Sequence, residues 1–354
     1  MENENYTYRE IINQAKSWKK VYEDIVEKID LDLNIVFDDY DEILFFGCGS
    51  SYNLSQSASF FTKAMLNGRS CLALPSSELL INTDVYINKS KKYLIIGFSR
   101  SGETTESINV VKKLRGKDNI KFLVFTCKEK STIESFSDYC FTCRDSVEKS
   151  VVMTASFSSM LFAYCLLLTK FINNKEMLTE FKYLINFIEE KIYYLFNDIK
   201  NYLDKNDFNS YFVLGSGFNY GLSVEADLKM KEMSQTPSYS YHLYEFNHGP
   251  KSLINKESLC LILTLSKNLF KKEEIIKEIL NLGSKVLVIG SNIIDEVDNK
   301  NINYLLYDSN FKFDIIKSFI NIPIFQILAY VKTIKKNLNP DKPRNLDYIT
   351  KIFL

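Results

Sequence analysis

One short segment of the sequence concentrates side chains that could bind a compact anion. Residues 99–104, SRSGET, follow the apolar run LIIGF and precede a stretch with helical spacing. A turn from a strand into a helix points backbone N–H groups and the positive end of the helix dipole at one spot. Hydroxyl groups can donate to phosphate oxygens, so the segment predicts a phosphate-binding turn. The candidate phosphate ligands are Ser99, Arg100, Ser101, Gly102 and Thr104.

The alternative for this segment is an ordinary Ser/Thr helix cap, followed by the acidic first-turn residues Glu103 and Glu106. A second segment, residues 47–53 (GCGSSYN), shifts the balance because it also follows a strand and opens a helix. Ligands of open α/β sheets bind at the carboxyl ends of the strands, which adds Gly49, Ser50 and Ser51 as candidates. The dinucleotide pattern GxGxxG is incomplete here, so a single phosphate is predicted.

A different chemistry is suggested by Glu225, Lys229 and Glu232, which are spaced i, i+4 and i+7. On a helix these residues share one face. They could form a solvated surface pair worth about 0.3 kcal/mol, or they could supply a carboxylate for proton transfer. The only two histidines, His242 and His248, could be structural or could take part in the same chemistry.

The elements around these residues alternate between helices and short apolar strands, which is typical of α/β units with mostly parallel sheets. The predicted strands are residues 42–47, 71–74, 92–98, 121–125, 211–215, 259–265 and 285–290. The second half repeats the pattern: Ser99 lies 52 residues after Gly47, and Ser266 lies 51 residues after Gly215. Two long helical stretches, residues 154–172 and 177–199, separate the repeats. The sequence therefore predicts a duplicated domain, with boundaries at 1–195 and 196–354. Residues 266–268 of the second half lack the SGET cluster, so one phosphate site per chain is expected.

Composition limits the function classes. Lys+Arg and Asp+Glu are both 44 in 354 residues, so the formal net charge is 0 and a nucleic-acid-binding surface is not expected. No membrane span and no signal-peptide core are apparent, which favours a cytoplasmic protein. The seven cysteines show neither CxxC pairs nor histidine partners at metal spacing, so we expect reduced thiols and no metal.

The two turns, together with four further segments, resemble the SIS (sugar isomerase) domain family. The segments are EIINQ, EKSVVMTASF, EADLKMKE with EFNHGP, and PRNL. The whole chain is similar to the isomerase half of glucosamine-6-phosphate synthase and to stand-alone phosphosugar isomerases, deaminases and deglycases. The resemblance implies two tandem SIS domains, each a mostly parallel sheet flanked by helices in a Rossmann-like three-layer arrangement. It also implies a homodimer with a shared active site and no cofactor.

The resemblance also implies roles for single residues. Glu232 matches the carboxylate that moves a proton between C1 and C2, and Lys229 and Glu225 match residues that orient it. His248 matches a histidine that opens the sugar ring from across a dimer interface. Weaker substrate-binding candidates are Glu148, Ser150, Thr154 and Tyr348.

The tail departs from the synthase pattern. Tyr348 stands where the synthase has an imine-forming lysine, and Lys351 is not an obvious substitute. The covalent imine route is therefore in doubt.

The predicted function is an aldose–ketose isomerase acting on a hexose 6-phosphate, with an amino sugar as the favoured substrate and deamination when C2 carries nitrogen. One alternative is a fructosamine-6-phosphate deglycase. A second alternative is a non-catalytic sugar-phosphate sensor, which the presence of Glu232 and His248 disfavours. Glutaminase activity is not expected, because the N-terminal cysteine that it needs is absent.

Overall fold

The computed structural model describes residues 5–28, 37–263, 272–290, 300–306 and 311–349. The chain forms two compact units. The N-terminal unit consists of Tyr6–Glu189 and the tail from Asn345, and the C-terminal unit consists mainly of Glu190–Arg344. Each unit is built around its own parallel sheet.

The sheet of the N-terminal unit has five strands in the order β2-β1-β3-β4-β5, and every neighbouring pair is parallel. The central strands are continuous apolar runs because helices cover both faces of such a sheet. The strands are β1 Glu42–Gly47, β2 Cys71–Pro75, β3 Tyr93–Ser99, β4 Ile120–Thr126 and β5 Tyr139–Thr142.

Close packing in this sheet depends on one glycine and one tyrosine. A Cβ at Gly97 would lie 2.4 Å from the ring of Phe46, so only glycine lets that ring cross β3. The buried ring of Tyr164 makes edge contacts with Phe45, Phe98 and Phe125. The helices of this unit are α1 Tyr6–Ile12, α2 Gln14–Tyr22, α3 Ser50–Met65, α4 Ser76–Ile81, α5 Thr83–Tyr86, α6 Thr105–Leu114 and α7 Ala155–Phe171. Helix α8, Lys175–Lys205, follows and contains the boundary between the units.

The sheet of the C-terminal unit has the order β10-β9-β8-β6-β7 and is also parallel throughout. Read from β7, this is the same order as in the N-terminal unit. Its strands are β6 Ser210–Gly215, β7 Ser238–His242, β8 Ser258–Leu263, β9 Lys285–Gly290 and β10 Ile302–Leu306. Its helices are α9 Phe218–Ser234, α10 Lys272–Asn281, α11 Asp314–Lys317 and α12 Asn321–Lys335.

The stretch Asp314–Lys335, with a mean hydropathy of 1.4, is long and apolar enough to cross a membrane by length and composition. Within the protein, however, 83% of its most apolar window is buried. A helix that is apolar on all sides has this composition when it lies in a protein core.

The predicted α/β class with parallel sheets is confirmed. The strands predicted over residues 42–47 and 285–290 have those bounds, and the predicted helix 154–172 is α7 within one residue at each end. The sequence pattern did not predict β7 and β10, which lie at the two edges of the C-terminal sheet. An edge strand has fewer buried positions, so segments such as SYSYH lack the apolar run. The end of the predicted strand 259–265 and the turn 266–268 lie outside the described residues.

Candidate functional site

The predicted phosphate turn joins β3 to α6 in the N-terminal unit. Gly102 has a φ of +66°, and a Cβ added to it would lie 2.4 Å from the Ser131 side chain. Both observations require glycine at this position. Ser99 and Ser101 flank the turn and are almost completely buried.

The hydroxyl groups of this turn act as acceptors inside the turn itself. The Gly102 N–H donates to the Ser99 Oγ at 3.2 Å, and the Glu103 N–H donates to the Ser101 Oγ at 3.1 Å. A hydroxyl that already accepts keeps its own hydrogen for another partner. Thr104 stands at the cap position of α6 but makes no side-chain capping bond. The Thr104 side chain therefore does not cap the helix. The turn presents hydroxyl donors beside the N-terminus of α6.

The second predicted turn lies on the neighbouring strand. β1 and β3 are parallel neighbours, so the turns after Gly47 and Ser99 lie at the same edge of the sheet. Gly49 has a φ of +55°, and Ser50 and Ser51 begin α3 in buried positions. The Cys48 Sγ lies 3.8 Å from the Ser107 Oγ in the first turn of α6. The structure therefore brings the two hydroxyl-rich turns together.

Arg100 lies between the two serines of the phosphate turn, but its guanidinium is engaged inside the protein. Nη1 lies 3.3 Å from the Glu148 carboxylate and donates to the Ser150 carbonyl at 3.4 Å. Nη2 donates to the Tyr348 carbonyl at 3.0 Å, and the guanidinium carbon lies 3.9 Å from the centre of the Tyr348 ring. The structure thus brings Arg100 and Tyr348, which lie in distant segments of the sequence, into direct contact.

Glu148, one of the weaker candidates, is a buried acceptor for the segment that begins α7. It accepts from the Thr154 N–H at 2.6 Å, the Thr154 Oγ1 at 2.8 Å, and the Ser156 N–H and Oγ. Glu10 of α1 accepts in the same way from the Lys149 N–H and from the Ser150 N–H and Oγ. Burial, with a further contribution from the neighbouring Glu148 charge, raises the pKa of Glu10.

In the C-terminal unit, α9 brings the two carboxylates and the lysine together as predicted. Lys229 is fully buried, with its Nζ 3.3 Å from the Glu225 Oε1 and 2.5 Å from the Glu232 Oε2. Burial alone would lower the pKa of Lys229, but the two carboxylates outweigh burial and raise it. Glu225 is also fully buried, whereas the side chain of Glu232 is 21% exposed. Only Glu232 of the three therefore reaches solvent while a charged lysine holds one of its oxygens.

The two histidines lie in different surroundings. His248 ends a short 3₁₀ turn, is exposed, and has no side-chain hydrogen bond or ion pair within the described residues. Gly249 follows it with a φ of +128°. His242 ends β7 near the rings of Tyr220 and Tyr244, and its Nδ1 is buried without a hydrogen-bond partner in the described part of the chain.

Sequence reasoning missed several residues near the phosphate turns. Glu106, in the first turn of α6, is buried, and its Oε2 has no hydrogen-bond partner among the described residues. Ser76 contacts Ser107 at 3.0 Å. Glu10 could have been found from the sequence, because it lies in the EIINQ segment that carries the family resemblance. No sequence pattern pointed to Ser76. No group of three or more His, Cys, Asp or Glu side chains arranged to hold a metal occurs in the part of the chain that the structure describes.

Comparison with known proteins gives a family match over most of the chain. The SIS domain profile matches residues 37–170 and 206–321. A glutamine–fructose-6-phosphate aminotransferase (isomerizing) from Buchnera aphidicola subsp. Baizongia pistaciae is 28% identical over 311 residues. That alignment covers 84% of this chain but only 49% of the relative, so the chain spans about half the length of this curated protein.

Two solved structures resemble the chain along its whole length. The crystal structure of glucosamine-6-phosphate deaminase from Thermotoga maritima has a TM-score of 0.79 and 28% identity, covering 98% of this chain and 100% of that one. The C-terminal domain of glucosamine-fructose-6-phosphate aminotransferase from Francisella tularensis has a TM-score of 0.86 at 22% identity. It covers 96% of this chain and 98% of that domain, and it establishes the likeness of the fold.

Proposed function

Because the chain belongs to the SIS domain family, we propose that it is a phosphosugar aldose–ketose isomerase. The observation that carries the proposal is the trio on α9: a buried, charged Lys229 between Glu225 and the partly exposed carboxylate of Glu232. Isomerisation between an aldose and a ketose needs one base that takes a proton from C2 and returns it to C1. A carboxylate that is held by a fixed cation and reaches solvent suits that task.

The proposed substrate class is an amino sugar 6-phosphate, with glucosamine 6-phosphate as its first member. Support comes from the Thermotoga maritima deaminase, which matches this chain from end to end. In the opened sugar, Glu232 takes the C2 proton and delivers it to C1, while a proton passes from the amine nitrogen to the C1 oxygen, so that the aldehyde becomes a hydroxymethyl group and the C2 amine becomes a C2 imine. Water adds to that imine and ammonia leaves, so glucosamine 6-phosphate and water give fructose 6-phosphate and ammonia.

The proposed phosphate ligands are the hydroxyl groups of the two turns in the N-terminal unit. Ser51, Ser99, Ser101 and Thr104 supply donors, and the N-terminus of α6 supplies favourable dipole charge. Arg100 contributes by supporting the turn, because its guanidinium is engaged by Glu148, Ser150 and Tyr348.

Ring opening is assigned to His248, whose exposed side chain is free of partners in the described residues. We further propose that the active protein is a homodimer in which the histidine of one subunit serves the site of the other. Two inactive variants, His248→Ala and Glu232→Gln, are expected to recover part of the activity when they are refolded together. No recovery would contradict the shared site while leaving the reaction assignment intact.

The deciding experiment is proton exchange in D2O. Purified protein is incubated with glucosamine 6-phosphate or fructose 6-phosphate, and deuterium at C1 and C2 is followed by NMR beside the Glu232→Gln variant. General base catalysis contributes about 10²- to 10⁴-fold to the rate, so the variant should lose about that factor in kcat with little change in KM. Lys231→Gln, which alters an exposed lysine on the same helix, is the matched control and should exchange at the wild-type rate.

The other functions are separate outcomes of the same experiment. Release of an amine from a fructosamine 6-phosphate, without turnover of glucosamine 6-phosphate, would identify a deglycase. Binding of a sugar phosphate by calorimetry without exchange would identify a sensor and contradict the role of Glu232.

A further inference from the structure

The C-terminal tail contacts the phosphate turn through Tyr348 and Arg100. The Tyr348 ring covers the Arg100 guanidinium at 3.9 Å, and the Tyr348 carbonyl accepts from it at 3.0 Å. Arg100 is 7% exposed, and burial raises the pKa of the Tyr348 phenol, so the ring stays neutral beside the cation at physiological pH. Cation–π contacts of this kind are stronger when they are removed from water.

Arg100 cannot move without the turn. It is bonded covalently to Ser99 and Ser101, and its carbonyl accepts from the Cys127 N–H at 3.0 Å at the end of β4. On the other side, its guanidinium ties the turn to Glu148, which organises the start of α7. The contacts at both ends of Arg100 therefore tie the backbone from which both serine hydroxyls project to the start of α7 and to the tail.

We propose that Tyr348 is a positioning residue that docks the tail onto Arg100 and thereby holds the phosphate turn ready for its ligand. The inference rests on the proposed function, since it assumes that the turn binds the phosphate of a sugar. Tail docking and phosphate binding are then coupled. By thermodynamic linkage, the factor by which tail docking raises the affinity for phosphate equals the factor by which bound phosphate favours tail docking.

The test compares three variants by calorimetry with glucosamine 6-phosphate and with inorganic phosphate. Tyr348→Leu removes the ring but keeps the backbone carbonyl, and it should weaken both ligands roughly tenfold, in the typical range of coupling between sites. Tyr348→Phe keeps the ring and should bind like the wild type. Tyr194→Leu changes a tyrosine that is 68% exposed on α8 and serves as the control.

Two further readouts separate positioning from general stability and from direct chemistry. Tyr348→Leu should raise KM roughly tenfold and leave kcat within about twofold, while the protein stays folded at the assay temperature. Hydrogen exchange of the tail peptide that contains Tyr348 should slow when inorganic phosphate binds to the wild type, and the same phosphate should not slow it in Tyr348→Leu.

The outcomes distinguish this inference from the function it rests on. Equal affinities for wild type and Tyr348→Leu, with tail exchange unaffected by phosphate, would overturn the coupling and leave the isomerase proposal standing. A loss of kcat in Tyr348→Phe would also overturn it, because the phenol would then act on the sugar directly. Coupling between tail docking and phosphate binding without any turnover would support the inference and contradict the isomerase proposal. Failure of any phosphate ligand to bind would overturn both.

Discussion

Gly49 in the N-terminal unit and Gly217 in the C-terminal unit begin their helices with nearly the same backbone: φ 55° and ψ −125° against φ 58° and ψ −127°. Each follows the second strand from the edge of a sheet with the same strand order. A Cβ at Gly47 would lie 2.4 Å from the backbone of Ser51, and one at Gly215 would lie 2.4 Å from the backbone of Asn219. The two units therefore share one turn, built for the same tight contact between strand and helix.

The helices that follow carry different side chains at the same places. Counted from the left-handed glycine, the eighth, twelfth and fifteenth residues are Ser57, Phe61 and Ala64 in α3. In α9 the corresponding residues are Glu225, Lys229 and Glu232. The same three helix positions are thus uncharged in the N-terminal unit and charged in the C-terminal unit.

The first turns of these helices differ in the opposite sense. Ser51 follows Gly49 by two residues and presents a small hydroxyl beside the phosphate turn. Its counterpart Asn219 is fully buried, accepts from the Asn321 Nδ2 at 3.0 Å and contacts the Leu263 carbonyl. In the C-terminal unit the larger amide makes an internal bond, whereas in the N-terminal unit the serine hydroxyl is a proposed phosphate donor. A few side chains therefore separate the proposed binding turn of one unit from the proposed catalytic helix of the other.

The largest expected effect comes from making the C-terminal helix like the N-terminal one at a single position. Lys229→Phe leaves the buried carboxylate of Glu225 without its cation, and removing one partner of a buried ion pair costs about 3–5 kcal/mol. The triple variant Glu225→Ser, Lys229→Phe, Glu232→Ala removes all three charges. Although it has more substitutions, it should be more stable to urea than Lys229→Phe, and it should lack proton exchange.

Urea unfolding of both variants, followed by circular dichroism, checks the order of stability. If the triple variant is the less stable one, the helix depends on these charges for its packing and the two units are less alike than their backbones indicate. Lys191→Phe, at an exposed lysine on α8 in the same unit, is the matched control and should cost little.

The sequence predicted the parallel α/β class and most strand bounds to within about one or two residues, and it singled out candidate residues in both site regions, because each leaves a local pattern. Buried strands are apolar runs, and the turns combine glycine with hydroxyl residues. The contact between Arg100 and Tyr348 was not predicted, because it joins residues 248 positions apart and cation–π packing leaves no periodic trace. The internal use of the Ser99 and Ser101 oxygens was also missed, since it depends on side-chain geometry.

A smaller effect is expected from exchanging the residues that follow the two glycines. Ser51→Asn should weaken binding of glucosamine 6-phosphate at least tenfold, because the larger side chain fills the space beside the phosphate turn. Asn219→Ser should leave that affinity unchanged and cost about 1 kcal/mol of stability through the lost bond to Asn321. Calorimetry and urea unfolding measure the two quantities on each variant. Weakened binding in Asn219→Ser would show that the C-terminal turn also contacts the ligand.

The smallest expected effect is the pH dependence of the lysine between the two carboxylates. The pKa of Lys229 is raised in the folded protein because Glu225 and Glu232 outweigh the effect of burial. In the unfolded chain the lysine titrates near its ordinary value of about 10.4. A raised folded pKa gives stability that is fully present below about pH 10.4 and is lost as the pH rises through the folded value.

The free energy of unfolding of the wild type minus that of the triple variant should therefore stay constant from pH 7 to pH 10 and fall above that range. Titration of the other lysines and of the tyrosines affects both proteins and cancels in the difference. If burial outweighed the carboxylates instead, the folded pKa would be lowered, and the difference would rise between pH 7 and 10 as the lysine lost its proton in the folded state. The direction of the change thus decides whether the three charges on α9 form a satisfied network, and only a satisfied network can hold Glu232 oriented as a base.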